Sequence, residues 1–209
     1  MNNFGDIEKW FPTSIYIKDL EYDTDTMATL LKSIKFKSGR SKFLSRDSYA
    51  DDQKHNEEPL YKDINFKPLF DDILEHAKYY LDKLGYENLN DIVYTNTWFN
   101  VYNKGDFVHK HIHQNSILSG AFYVKSNKND CITFYAKDDA VSEPELKNEL
   151  SYDSCNYQCK PGRLLLFKSS TAHSTNKQED GEKIVISFNI TMNKWYHLNF
   201  HNLICLSNI

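Results

Sequence analysis

Residues 183–189 read KIVISFN. Alternate side chains of an extended chain point to opposite sides. Ile184, Ile186 and Phe188 therefore share one face, and Lys183, Val185, Ser187 and Asn189 share the other. A strand with an apolar outer face against helices and a more polar face lining a cavity has this pattern, although an ordinary half-exposed strand has it too. The flanking sequence narrows the choice. From about residue 91 the runs IVYTNTWFNVY, SILSGAFYVK, CITFYA, LSYDSCNYQC, GRLLLFKS and KIVISFNITM are short and rich in β-branched and aromatic residues. Turn clusters NKGD, SNKND, KPG and NKQEDGEK separate them. Successive strands without helices between them predict an antiparallel sandwich or barrel, and a jelly roll fits.

The first ninety residues have a different texture. TSIYIKDL alternates as a strand. DTDTMATLLKSIKF opens with helix-start residues and places Met27, Leu30, Leu31 and Ile34 at helical spacing. NFKPLFDDILEHAKYYLDKLGY repeats that period through Leu69, Ile73, Leu74, Ala77, Leu81 and Leu84, with Gly85 as its stop. Between them, residues 39–60 are polar and irregular; Tyr49, Leu60 and Tyr61 offer anchors for a loop that could act as a lid. The expected architecture is mainly β: a double-stranded β-helix (jelly roll) over about residues 91–195, packed against two helices from a helical N-terminal portion (1–90), in a single domain spanning 1–209.

Bulk properties exclude several classes of function. The 209 residues carry a formal net charge of -4 with both signs mixed along the chain. No basic footprint for nucleic acid is present. The N-terminus lacks a basic region followed by an apolar run, and no apolar stretch is long enough to span a bilayer, so a soluble, cytoplasmic protein is expected. Cys131, Cys155, Cys159 and Cys205 are then expected to be reduced thiols. Cys155 and Cys159 are spaced as a zinc pair could be, but no second pair follows.

The chemistry is concentrated in GDFVHKHIHQNSILSGAFYV, residues 105–124, where His109, His111 and His113 occupy alternate positions. On a strand, such neighbours face the same way, roughly 6.5–7 Å apart, and two imidazoles at that spacing can lean onto one ion. The pairs His109/His111 and His111/His113 are equally reasonable on geometry. A third ligand should come from a distant strand, and His173 directly follows the apolar run LLLF. Two close ligands and one remote one make a three-cornered face with an open side, as in non-heme iron sites. His197 and His201, in the tail KWYHLNFHNL, read as packing or surface residues.

Taken together, TWFNVYNKGDFVHKHIHQNSILSGAFYV, CKPGRLLLFKSSTAHSTN and KIVISFN resemble a family of 2-oxoglutarate/Fe(II)-dependent oxygenases of bacteria and of phages of marine cyanobacteria, over about residues 97–190. The resemblance implies the double-stranded β-helix fold, with Fe(II) as metal and 2-oxoglutarate as cosubstrate. It places the H-x-H pair on His111 and His113 and the remote ligand on His173. Related oxygenases carry an arginine about ten positions later, to pair with the distal carboxylate of 2-oxoglutarate; here Lys183 stands there. Lysine keeps the charge and loses the planar fork. His113 stands where aspartate is usual, which leaves the site one unit more positive and also suits zinc. Tyr123, Asn100, Ser119 and Ser187 are candidates to hydrogen-bond the cosubstrate carboxylates. The implied activity is an oxygenase that couples oxidative decarboxylation of 2-oxoglutarate to oxidation of a second substrate, with a prolyl or other protein side chain favoured. If a phage encodes the chain, its place would be the host cytoplasm. The competing reading is a cupin-like three-histidine jelly roll without cosubstrate turnover, or a structural phage module. Lys183 separates the two: a lysine facing solvent would favour the second.

Overall fold

The computed structural model describes residues 12–34, 59–136, 148 and 151–193. Eight strands and two α-helices occur among them: β1 (Ile15–Asp19), α1 (Thr24–Ser33), α2 (Lys67–Lys83), β2 (Ile92–Tyr102), β3 (Leu118–Lys125), β4 (Cys131–Tyr135), β5 (Ser154–Gln158), β6 (Arg163–Lys168), β7 (His173–Thr175) and β8 (Lys183–Met192). Five strands form one sheet in the order β1-β6-β3-β8-β2, and three form a second in the order β5-β4-β7. Every paired neighbour is antiparallel. This is the mainly β jelly-roll architecture expected from the sequence.

Each helix forms for a local reason. Asp23 caps α1 by accepting a hydrogen bond from the Thr26 N–H at 3.0 Å, which satisfies one of the free amides of a helix start. Gly85, at φ +82°, lets the chain leave α2 in the left-handed region, where the Tyr86 N–H donates back to the Leu81 carbonyl at 3.0 Å. The buried residues of α2 are Leu69, Phe70, Ile73, Ala77, Tyr80 and Leu81. They join Met27 and Leu31 of α1 against the outer face of the larger sheet.

Alternation on the strands then divides the interior in two. Leu164 and Leu166 of β6 and Ile184, Ile186, Phe188 and Ile190 of β8 belong to the helix-facing core. Their sequence neighbours Leu165, Phe167 and Val185 belong to a second cluster with Tyr102, Ala121, Tyr123, Phe134 and Cys159, between the sheets. The outer layer is close-fitting: a Cβ on Gly120 of β3 would lie 2.3 Å from the Phe188 ring. Tyr94 ties the layers together by donating its hydroxyl to the Phe70 carbonyl at 2.6 Å.

The stretch 105–113 departs from the sequence expectation of three histidines on one regular strand. Val108 and His111 make isolated bridge contacts, with no continuous ladder. The cause is a change of partner. His111 exchanges two backbone hydrogen bonds with His173, both 3.0 Å, whereas the His113 N–H turns to the Ser169 carbonyl at 2.9 Å. The strand β7 was not anticipated, since three residues are too few to display alternation. Most of the candidate lid (39–58), Tyr49, His197, His201 and Cys205 lie outside the described residues.

Candidate metal centre

Backbone pairing builds the centre. The bridge between His111 and His173 brings sequence positions sixty-two apart side by side. Two residues on, His113 returns to the same side. The ligand-type ring nitrogens of His111, His113 and His173 all lie within 4.8 Å of one another. The ring centroids are 4.2 Å apart for His111 and His173, 5.1 Å for His111 and His113, and 5.1 Å for His113 and His173. His109, the alternative partner on spacing, is exposed and stacks edge-on against Phe107 at 4.6 Å. It is not in the cluster.

The local electrostatics favour neutral rings. Burial lowers His173 to about 3 and His113 to about 4, with the neighbouring His111 adding a smaller push in both. Burial also lowers His111. Three imidazoles held unprotonated near neutral pH present lone pairs, as a metal requires. Two of them are oriented by backbone carbonyls: His111 Nδ1 lies 2.8 Å from the His109 oxygen, and His173 Nδ1 lies 3.0 Å from the Thr171 oxygen.

The far end of the side of β8 that faces the second sheet holds Lys183, which is 0% exposed. Its Nζ has no hydrogen-bond partner among the described residues and lies 4.4 Å from the centre of the Tyr102 ring. A buried ammonium without an acceptor is costly, and one aromatic face compensates it only in part. The solvent-facing lysine that the cupin-like reading requires is not what the fold presents. Asn100, on the same face of β2 as Tyr102, has a buried Oδ1 that also lacks a partner. Tyr123 is buried in the same cluster beside Cys159, whose thiol burial pushes up to about 12 despite the nearby Lys183 charge.

The remaining candidates sit nearer the histidines. Ser119 donates to Asn189 Oδ1 at 2.6 Å and lies 2.9 Å from the Ser169 hydroxyl. Ser187 pairs across the sheet with Trp98, and the Trp98 ring lies 5.7 Å from that of His113. Lys183 and Ser187 are four residues apart, about 13 Å along the strand. The donor set fits a divalent transition metal, and the unpartnered ammonium fits an anion reaching toward it. Trp98, Tyr102 and Phe167 line this side without having been singled out as site residues in the sequence. Alternation with Asn100 was the available signal for the first two.

Residues 96–189 match the family model described as "Putative 2OG-Fe(II) oxygenase". Solved structures share the fold. A Pseudomonas putida prolyl-4-hydroxylase aligns with TM-score 0.56 at 13% identity, covering 86% of this chain and 93% of that one. A Trichoplax adhaerens prolyl hydroxylase, in complex with a hypoxia inducible factor oxygen degradation domain peptide fragment, aligns with TM-score 0.57 at 14% identity, covering 88% and 86%. HygX from Streptomyces hygroscopicus, with nickel and 2-oxoglutarate bound, aligns with TM-score 0.52 at 8% identity, covering 86% and 83%. No curated protein sequence matches the chain. Among the described residues, no helix is long and apolar enough to cross a membrane.

Proposed function

We propose that this chain, whose residues 96–189 match the model described as a 2OG-Fe(II) oxygenase, is an oxygenase that hydroxylates a side chain of a protein or peptide, a prolyl residue being the first to test. Fe(II) is held by His111, His113 and His173, and 2-oxoglutarate by Lys183 at its distal carboxylate. When bound, metal and cosubstrate supply oxidative decarboxylation coupled to oxidation of the second substrate. The chain's own part is to bind and orient. Lys183 neutralises one carboxylate, and Asn100 and Tyr123 offer polar atoms beside it. Ser119 and Ser187 line the path towards the histidines. The rings of Tyr102, Phe167 and Trp98 keep water from the cavity.

One observation supports this reading above the others: the fully buried Lys183 ammonium has no hydrogen-bond partner among the described residues, and a dicarboxylate would supply it. The peptide class draws on the two prolyl hydroxylases of similar fold and on Ile112, an apolar residue half exposed between two of the ligands. The test is anaerobic titration of Fe(II)-loaded protein with 2-oxoglutarate, following the charge-transfer absorption of the chelate. Admission of air and a set of proline-containing peptides follows, with succinate and peptide mass as readouts. Absorption, succinate and a gain of one oxygen on a proline would support the proposal. Succinate formed with no oxygen gained by any peptide would overturn the peptide assignment. Absence of both absorption and succinate would overturn cosubstrate binding by Lys183.

A further inference from the structure

The three rings of the centre are not held alike. His111 and His173 each direct Nδ1 at a backbone carbonyl, at 2.8 and 3.0 Å. A neutral imidazole that donates from Nδ1 leaves Nε2 with its lone pair free for a metal. His113 has no such carbonyl among the described residues. Its ring makes one hydrogen-bond contact, Nε2 to Nε2 of His173 at 3.3 Å, between two atoms that must both be unprotonated to act as ligands. Something else must set its plane.

The need is specific to an imidazole at this corner. A carboxylate offers two equivalent oxygens with broad lone-pair directions, whereas an imidazole has one usable nitrogen whose lone pair lies in the ring plane. A few degrees of ring rotation therefore matter more at His113 than they would for aspartate. Among the described residues, two rings outside the ligand set lie against it. Phe167 is 6.5 Å away and inclined at 59°, and it packs more closely on His173, at 4.6 Å. Trp98 is 5.7 Å away and inclined at 31°, on β2 where it pairs with Ser187. It is the nearer and the more nearly parallel of the two.

We infer that Trp98 is the positioning residue for His113, fixing by ring contact the orientation that backbone carbonyls fix for His111 and His173. The inference rests on the reading of the three histidines as the ligand set, and its test separates the two claims. Full-length metal-free protein is titrated with Co(II), following the ligand-field absorption, and the histidine ¹⁵N signals are recorded with Zn(II) bound. Trp98→Ala should weaken Co(II) binding about tenfold, alter the absorption envelope and shift the His113 nitrogens while leaving those of His111 and His173 in place. Trp98→Phe should restore most of the affinity. If Trp98→Ala does not fold by circular dichroism, Trp98→Leu replaces it, filling volume without a ring; Leu should be weak where Phe is strong. Co(II) affinity and spectrum unchanged in the Ala or Leu variant would overturn the inference. Equal broadening of all three histidines would overturn it too, as general loosening. His111→Ala abolishing Co(II) binding while Trp98→Ala leaves it intact would sink the positioning role alone. A wild-type protein that takes up no Co(II) would sink the ligand set with it.

Discussion

The two faces of β8 do opposite work within ten residues. Outward, Ile184, Ile186, Phe188 and Ile190 are all 0% exposed in an apolar layer under α1 and α2. Inward, Lys183, Ser187 and Asn189 place polar side chains beside Val185, with Asn189 accepting from Ser119 near one end and Lys183 buried at the other. Burying apolar surface favours the folded state, whereas burying an unpaired ammonium opposes it. The outer face therefore supplies stability, whereas the inner face carries the polar groups to which the proposed function gives a binding role. Substitutions on the two faces should separate these roles.

The largest expected contrast is between His173 and Phe188. His173→Ala should lower 2-oxoglutarate turnover by at least ~10³-fold while costing no more than about 2 kcal/mol of stability. Phe188→Ala should cost about 3–5 kcal/mol in a urea titration, with the folded fraction still binding Co(II). Unchanged turnover in the first variant, or loss of the metal site from folded molecules of the second, would erase the distinction between the faces. Next, Lys183→Met should raise the KM for 2-oxoglutarate about 10–100-fold, the value of a hydrogen bond to a charged group. It should also leave the cosubstrate-free protein as stable as before, or about 1 kcal/mol more stable. A large loss of stability with KM unchanged would mean that Lys183 serves the fold.

Acid should act first on the histidines of β7 and of the 109–113 stretch, not on either face of β8. The folded-state pKa of His173 is lowered to about 3 and that of His113 to about 4, by burial. Their stabilising contribution is complete above the unfolded value near 6.5 and is lost as pH falls towards those lower values, because the unfolded chain takes up protons that the folded one refuses. Below pH 6.5 the slope should approach about 1.4 kcal/mol per pH unit for each ring. Urea midpoints of metal-free protein at pH 7.5 and 5.0 measure it; a midpoint equal or higher at pH 5.0 would mean that the rings protonate in place. The smallest effect belongs to neither face. Asp19 on β1, held down to about 2 by hydrogen bonds from Arg163 and Lys160, is exposed enough for water to screen the pairs. Asp19→Asn should cost under ~1 kcal/mol, and a greater loss would show that the sheet edge contributes more than either comparison allows.

Much of this was legible in the sequence because repeated patterns report local geometry. Leu69, Ile73, Ala77 and Leu81 recur at helical spacing and do line the buried side of α2. KIVISFN alternates, and its two sets of residues do enter different layers. Other features were not legible. β7 is too short for any period. The stretch 109–113 alternates as a strand would, yet it changes backbone partner between His111 and His113. Alternation could not choose between His109 and His113; only the family resemblance pointed to the second, and the fold leaves His109 outside the cluster.

By itself the sequence determined which residues alternate, which recur at helical spacing and where the chain must turn, since these depend on neighbours a few bonds away. It also carried enough motif for residues 96–189 to match a 2OG-Fe(II) oxygenase model. Tertiary structure alone decided that His173 lies beside His111, that Lys183 has no acceptor among the described residues and that Trp98 leans on His113. Those facts depend on pairings between segments dozens of residues apart. Their register is set by the fit of two packed layers, and no local pattern encodes it.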